Sequence, residues 1–263
     1  MAKWKSRFGS LVLAVLIFSA GCAAIEAQGA EHAPDFRAQE RIAPLTIPPK
    51  PNAPFMAIAK TLWVRTLPDG STVTSQNERV VARDMDGRIF QERRTFIPVP
   101  DDGKQQSQVF ETDLTDPVNH TVYRCEAQRK ECNLFNYYGP VSVPEAPAGL
   151  QPGRTTFLTR ENLGLGTFAG LDVELSRETY THYVETIGNT RTVLRTIEYW
   201  YSSALGVNVQ VKRHDPRDGD QTLWLTDVTL SSPPPETFQV PAGFRIVDHR
   251  NTAPAQVTGY EPR

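Results

Sequence analysis

Two cysteines, Cys125 and Cys132, have the spacing in this chain that most clearly indicates chemistry. They lie in two short strand-like segments around a polar turn. If Gln128 and Arg129 form the centre of that turn, the cysteines lie opposite each other, with Cβ atoms roughly 4.5–5.5 Å apart. In an oxidising compartment this geometry predicts a disulfide. A metal site is the alternative, but no histidine or carboxylate stands at a spacing typical of a zinc finger.

The third cysteine, Cys22, follows a segment that is organised like an export signal. Residues 1–7 are basic, residues 8–18 form an apolar run of 11 residues, and residues 19–21 are small. A signal peptidase requires small residues at that position, and the apolar run is too short to cross a bilayer as a helix. We therefore expect 1–21 to be a signal peptide and the mature protein to be exported.

The small residues that end in Gly21 and Cys22 resemble the bacterial lipobox, in which the cysteine is acylated and becomes the mature N-terminus. Ser19 stands where the lipobox usually has leucine, so ordinary cleavage nearby, for example after Gly29, remains the alternative. Two or three acyl chains on Cys22 would anchor the protein stably. By resemblance to enterobacterial sorting, Ala23 after the cysteine favours the outer membrane. The resemblance implies a periplasmic protein whose lipidated N-terminus contacts the membrane.

Motifs for catalysis, metal binding and nucleotide binding are missing or incomplete in the sequence. There is no Gly-x-Ser-x-Gly elbow. The acidic runs at 84–87 and 215–220 lack the ligand order of an EF-hand loop, and Asp-Gly pairs are typical of turns. His182 is interpreted as a strand residue rather than a general base. We expect no catalytic residues, no metal, no cofactor and no enzymatic activity.

The charge balance argues against nucleic acid as a partner. Removal of the signal takes the basic residues from 28 to 25 against 30 acidic ones, so the mature net charge is about −5, and no basic patch stands out. No second apolar run approaches the roughly 20 residues that span a bilayer.

Composition divides the rest of the chain into three parts. Residues 22–53 are rich in proline and are predicted to be an extended tether. Residues 54–248 carry alternating apolar and polar residues with turn signals between them, and are predicted to form one β domain. Residues 249–263 are predicted to be a flexible tail.

The alternation is clearest at Val207, Val209 and Val211, which are separated by polar residues. A period of two places the valines on one buried face, and a sheet with one solvated face is typically antiparallel. We predict an all-β fold, an antiparallel meander of about ten strands curled into an open or incomplete β-barrel, with room for a cavity. The predicted strands are 55–66, 71–83, 88–97, 107–114, the cysteine hairpin, 155–159, 171–176, 179–185, 190–201, 207–213 and 221–230.

An aromatic run, Tyr199, Trp200 and Tyr201, lies on one of these strands. Simple alternation places Tyr199 and Tyr201 on one face and Trp200 on the other. Packing in the core and lining of a ligand cavity are both open interpretations of these side chains.

Several short motifs, in their order along the chain, resemble a group of exported, uncharacterised bacterial proteins. They are 67–70 (LPDG), 83–88 (RDMDGR), 116–118 (DPV), 187–189 (IGN), 198–202 (EYWYS) and 215–217 (DPR). The closing segment, 235–244, is similar to the C-terminal strand region of periplasmic lipoprotein carriers and related envelope-stress sensors. That resemblance implies a curved, incompletely closed barrel of the kind that shelters acyl chains.

Two functions follow as expectations. The first is a non-catalytic envelope module that binds an apolar ligand, such as an acyl chain or a lipoprotein, with Tyr199, Trp200 and Tyr201 at the site. The second is an interaction protein with a filled core that meets its partner through loop 139–153 or through a sheet edge. A dry apolar concavity would favour the first function over the second.

Overall fold

Strands with alternating side chains make up most of the computed structural model, which describes residues 45–99, 107–139 and 145–250. The signal segment, Cys22, residues 22–44 of the predicted tether and residues 251–263 of the predicted tail lie outside these ranges. One short 3-10 helix, Pro235–Phe238, accompanies the strands. The strands are β1 (Phe55–Thr66), β2 (Thr72–Arg83), β3 (Ile89–Arg94), β4 (Ile97–Pro98), β5 (Val109–Asp116), β6 (Thr121–Glu126), β7 (Glu131–Asn136), β8 (Gly149–Leu150), β9 (Thr156–Phe168), β10 (Leu171–His182), β11 (Val193–Ser202), β12 (Val207–Asp215), β13 (Gly219–Thr229) and β14 (Arg245–Asp248).

All 14 strands belong to one sheet in which β1 joins two antiparallel meanders. On one side of β1 the order is β2, β3, β5, β6, β7 and β14, and on the other it is β13, β12, β11, β10, β9 and β8. β4 pairs separately with β2. The sheet is therefore not one sequential meander, because β1 pairs with β13 from the far end of the chain.

The pairing confirms the predicted all-β fold with an open sheet. Its order begins at β14 and ends at β8, and no pairing in the described part of the chain joins these two ends. The details differ from the prediction, since the described ranges contain 14 strands rather than about ten, and β14 runs parallel to β7.

Two predicted strand boundaries are wrong around β9 and β10. The segments 171–176 and 179–185 form one strand, β10, because Arg177 and Glu178 continue the ladder with β11. The segment predicted to end at residue 159 continues to Phe168. A bulge in the β9–β10 pairing absorbs Leu163, beside Gly164 with φ at 97°. Glycine adopts this left-handed conformation at little cost. The bend that the sequence predicts at Gly164 is therefore a bulge inside β9 and does not end the strand.

The apolar core contains the alternating valines. Val207, Val209 and Val211 are at most 2% exposed and belong to one cluster with Leu223 and Leu225 of β13. Full burial of such a side chain contributes about 1.5–3 kcal/mol to the free energy of folding.

Residues 45–53, which composition assigned to the tether, pack on the sheet. Leu45 and Ile47 are each 5% exposed and belong to the valine cluster. Arg83 at the end of β2 donates to the carbonyl oxygens of Pro48 and Ala53, which ties the segment to the sheet. The packed part of the protein thus begins before residue 54.

The cysteine hairpin forms a second, smaller core. Cys125 in β6 pairs directly with Cys132 in β7, and a disulfide joins them. Val240 and Phe244 of the closing segment pack against this cluster. The closing segment therefore covers the hairpin, and it leads into β14 beside β7.

Candidate functional site

The three aromatic residues of β11 divide between its two faces. Tyr199 lies opposite Ser176 of β10, and Tyr201 lies opposite Glu174. Trp200 lies between them in the register and lines none of the surface that the two tyrosines share. The alternation of these three side chains follows the sequence prediction.

Tyr199 and Tyr201 line a groove of about 540 Å³ that we call the β9–β12 groove. It crosses four neighbouring strands, so its walls come from residues that are far apart in the sequence. Polar side chains predominate among the residues that line it: Glu145, Arg160, Glu161, Asn162, Glu174, Leu175, Ser176, Glu178, Tyr199, Tyr201 and Asn208.

The carboxylate of Glu178 holds one wall of the groove in place. Its Oε2 accepts hydrogen bonds from the hydroxyl groups of Tyr180 at 2.9 Å and Tyr199 at 3.3 Å. Its Oε1 accepts from Nε of Arg160 at 2.8 Å. Burial, with the negative charge of Glu178 beside it, raises the pKa of Tyr199 well above its ordinary value. Tyr199 therefore donates this hydrogen bond as a neutral hydroxyl group.

The charge of the groove is negative. Its lining contains four glutamates against one cation, Arg160. A neighbouring cation, Arg177, lies between Glu198 and Glu161, at 2.6 and 3.3 Å. An excess of carboxylates favours a ligand with positive charge, and it is unlike the dry apolar concavity that an acyl chain requires.

Trp200 lies in a different environment. It pairs with Leu175 of β10, and the ammonium group of Lys212 lies 4.8 Å from the centre of its ring. This is the distance of a cation–π contact. Tyr199 and Tyr201 thus line the groove and Trp200 does not, while Tyr199 and Trp200 both pack against the apolar core.

Beyond residue 158 the outer edge of β9 has no strand partner in the described part of the chain, although Arg160 donates to the carbonyl oxygen of Ala146 and pairs with Glu145 in the neighbouring loop. β9 pairs with β10 along its whole length, but β8 covers only Phe157 and Leu158 on the other side. From residue 159 to Phe168, no strand in the described ranges pairs with this edge. A row of backbone N–H and C=O groups along an uncovered edge is a template for another strand.

Apolar side chains are exposed along the same edge. Leu163 is 41% exposed and Leu165 is 85% exposed. The segment from 159 to 168 contains no lysine and no proline, and its protective features are two charged residues, Arg160 and Glu161, and the bulge at Leu163. The exposed leucines lie at the end of the sheet where β9 is the last long strand.

Sequence reasoning missed this edge because it ended the strand at residue 159. The glycines at 164 and 166 predict bends, although Leu163 and Leu165 alternate with them in the period of a strand. The lining carboxylates come from separate strands, and no sequence spacing brings them together. Loop 139–153, the other predicted contact surface, contains β8 and in part, at residues 140–144, lies outside the described ranges.

Three further observations bear on the predicted chemistry. Within the described ranges, no group of three or more histidine, cysteine or acidic residues is placed to hold a metal ion. No helix there has the length and apolar character needed to cross a membrane. His182 is the last residue of β10, as its interpretation as a strand residue predicts.

Several solved structures share part of this arrangement at low sequence identity. An uncharacterized conserved protein from Thermus thermophilus has a TM-score of 0.39 at 8% identity, over 75% of this chain and 91% of that chain. The complex of MucA and MucB from Pseudomonas aeruginosa has a TM-score of 0.33 at 11% identity, over 73% of this chain and 58% of that chain. A domain from Vibrio parahaemolyticus described as an outer membrane lipoprotein-sorting protein domain has a TM-score of 0.18 at 11% identity, over 71% of this chain and 89% of that chain.

The lipoprotein-sorting description of the Vibrio parahaemolyticus domain agrees with the resemblance predicted from residues 235–244, which pointed to lipoprotein carriers. At such identities and TM-scores the solved structures carry no argument about function. No protein-family model and no curated protein matches the sequence.

Proposed function

We propose that this chain is an exported cell-envelope protein that binds a segment of another protein by strand addition at the open edge of β9. The observation that carries the proposal is the edge from residue 159 to Phe168, which has no strand partner within the described ranges and lies directly beside the β9–β12 groove. The export signal at 1–21 and acylation of Cys22 would place this edge at a membrane surface.

Strand addition explains the features of the edge together. An added strand forms backbone hydrogen bonds, each with a net contribution of about 0.5–1.5 kcal/mol, and alternate side chains of the strand supply specificity. Arg160 and Asn162 of β9 line the groove, so side chains of the added strand would reach its carboxylates. The partner segment is therefore extended and carries basic side chains on the face that it shares with the groove.

The apolar-ligand function has less support in the described residues. The two tyrosines predicted to contact an acyl chain line a groove rich in carboxylates, and Leu45 and Ile47 fill part of the apolar core. A filled core with a free edge corresponds to the second function that the sequence predicted, an interaction protein.

The proposal is tested with a ten-residue peptide of alternating valine and lysine, followed by NMR amide exchange of the protein. Because the outward N–H groups of a strand alternate, we expect alternate amides between 159 and 168 to gain protection, with the alternation shifted by one residue at the bulge at Leu163. The same peptide with glutamate in place of lysine should bind at least tenfold more weakly.

Matched variants separate the effect of the groove carboxylates from that of surface charge in general. Glu174→Gln should lower the affinity for the lysine peptide. Glu236→Gln, at an exposed residue of the 3-10 helix, should leave that affinity unchanged. Unchanged exchange along 159–168 in the presence of the peptide would refute strand addition. A stoichiometric lipid in organic extracts of the native protein would instead support the apolar-ligand function.

A further inference from the structure

Two arginines and a histidine lie at the ends of β10, β11 and β12, next to the Glu178 wall of the β9–β12 groove, because Arg195 stacks on the ring of Tyr180 and Tyr180 donates to Glu178. Tyr180 pairs with Arg195, and Ile197 pairs with Arg213. Since residues two apart on a strand share a face, His182, Arg195 and Arg213 lie on one face of these three strands. We call these three residues the Arg195 cluster.

The Arg195 cluster contains buried N–H groups that have no acceptor in the part of the chain that the structure describes. Nε and Nη1 of Arg213, Nε of Arg195 and Nε2 of His182 are all buried there without a hydrogen-bond partner. The side chain of Arg213 is 4% exposed. A buried donor without a partner costs free energy, and more so when it is charged, so the three guanidinium N–H groups, together with Nε2 of His182 when it carries the ring hydrogen, indicate a missing acceptor.

The carboxylates nearby do not satisfy these donors. Asp215 and Asp218 both accept from Nη2 of Arg213, at 2.9 Å each. Asp215 is shared with Arg217, which donates to it from Nε at 3.0 Å and from Nη2 at 2.9 Å. Three guanidinium groups, those of Arg195, Arg213 and Arg217, face two carboxylates, which leaves one positive charge in excess.

The electrostatic environment also favours a negative ligand. Burial, together with the charges of Arg217 and Arg195, lowers the pKa of His182 below its ordinary value despite the opposing charge of Asp215. Burial lowers the pKa of Arg195 as well. The Thr156 hydroxyl lies 3.0 Å from Nδ1 of His182, and when it donates there, Nε2 carries the ring hydrogen.

We propose that the Arg195 cluster is a binding site for an oxyanion group, a carboxylate or a phosphate. Its oxygens accept from Nε of Arg195, from Nε and Nη1 of Arg213, and from Nε2 of His182. Guanidinium groups suit such ligands because their planar N–H donors match the spacing of two oxygens. The proposal does not depend on strand addition at β9.

The test is an NMR titration of the whole chain with sodium phosphate, sodium sulfate and sodium acetate, with chloride to match ionic strength. The side-chain Nε–Hε signals of Arg195 and Arg213 report on the site directly. We expect both signals to shift saturably. Tighter binding of phosphate or sulfate assigns the site to tetrahedral oxyanions, and tighter binding of acetate assigns it to carboxylates.

Two variants with equal loss of charge separate the site from the general field of the protein. Arg195→Gln should lower the affinity for the most tightly bound anion at least tenfold. Arg191→Gln, at an exposed position in the preceding loop, should change that affinity less than twofold. If Arg195→Gln does not fold, His182→Gln takes its place with the same expectation. Absence of a saturable shift, or equal affinity of the site variant and the Arg191 variant, would overturn the proposal. If water alone fills the site, no saturable shift will be observed.

Discussion

Arg83 donates from Nε and from Nη2 to the carbonyl oxygen of Ala53, at 2.9 and 2.8 Å. Its remaining hydrogen bonds go to the carbonyl oxygens of Pro48 at 2.9 Å and Leu205 at 2.6 Å. The side chain is fully buried, and its guanidinium lies 5.1 Å from the ring centre of Phe55. One arginine thus joins the segment before β1 to the turn between β11 and β12.

Replacement of Arg83 tests this role. Arg83→Leu removes four hydrogen bonds and leaves three carbonyl groups without that donor, those of Pro48, Ala53 and the buried Leu205, so we expect the free energy of unfolding to fall by about 3 kcal/mol. Urea unfolding measures the loss. Arg129→Leu is the control, because that side chain is 71% exposed, and it should change stability by less than about 0.5 kcal/mol. Equal effects of the two substitutions would contradict the assigned role.

Reduction of the Cys125–Cys132 disulfide should destabilise the protein. The bond closes a loop of about eight residues, for which the chain-entropy relation gives about 2.5 kcal/mol. Urea unfolding with and without a phosphine reductant measures the difference. The double variant Cys125→Ser, Cys132→Ser should be as unstable as the reduced protein and insensitive to the reductant. A wild-type protein unaffected by reduction would be inconsistent with this prediction.

The two tyrosines that contact Glu178 should contribute unequally to stability. Tyr180→Phe removes the 2.9 Å hydrogen bond to a carboxylate, and we expect a loss of about 1.5 kcal/mol. Tyr199→Phe removes the longer contact at 3.3 Å and should cost less than about 0.5 kcal/mol. The stacking of Arg195 on the Tyr180 ring, at 4.0 Å, is retained by phenylalanine and does not enter the comparison. The reverse order in thermal unfolding would argue against Glu178 as the centre of this network.

His182 should make stability depend on pH. Its pKa in the folded protein lies below that of an exposed histidine, about 6.5, so protonation favours the unfolded state. The contribution of neutral His182 to the free energy of unfolding is complete above pH 6.5 and is lost as the pH falls through the pKa of the folded state. Free energies of unfolding at pH 7.5, 6.5 and 5.5, in buffers without phosphate, should therefore decline with acidity. The free energy of unfolding of the His182→Gln variant should decline less steeply with acidity. Equal slopes for the variant and the wild-type protein would count against the prediction.

The amino-acid sequence alone determined those strands whose alternation of side chains and whose turn residues lie close together in the chain. β1 begins and ends where the sequence predicted, and the valines of β12 are buried as their alternation requires. Cys125 and Cys132 were placed opposite each other because the turn between them is short. In each of these cases the interactions that decide the structure are formed by near neighbours in the chain.

Only the tertiary structure decided which strands lie side by side and what the ends of the sheet expose. β1 pairs with β13 more than 150 residues later, and no local period encodes a partner at that distance. The segment at Leu45 and Ile47 is buried because the sheet presents an apolar surface to it, although its prolines alone predict an extended tether. The open edge of β9 and the Arg195 cluster arise in the same way, since both depend on strands that the fold, rather than the sequence order, brings together.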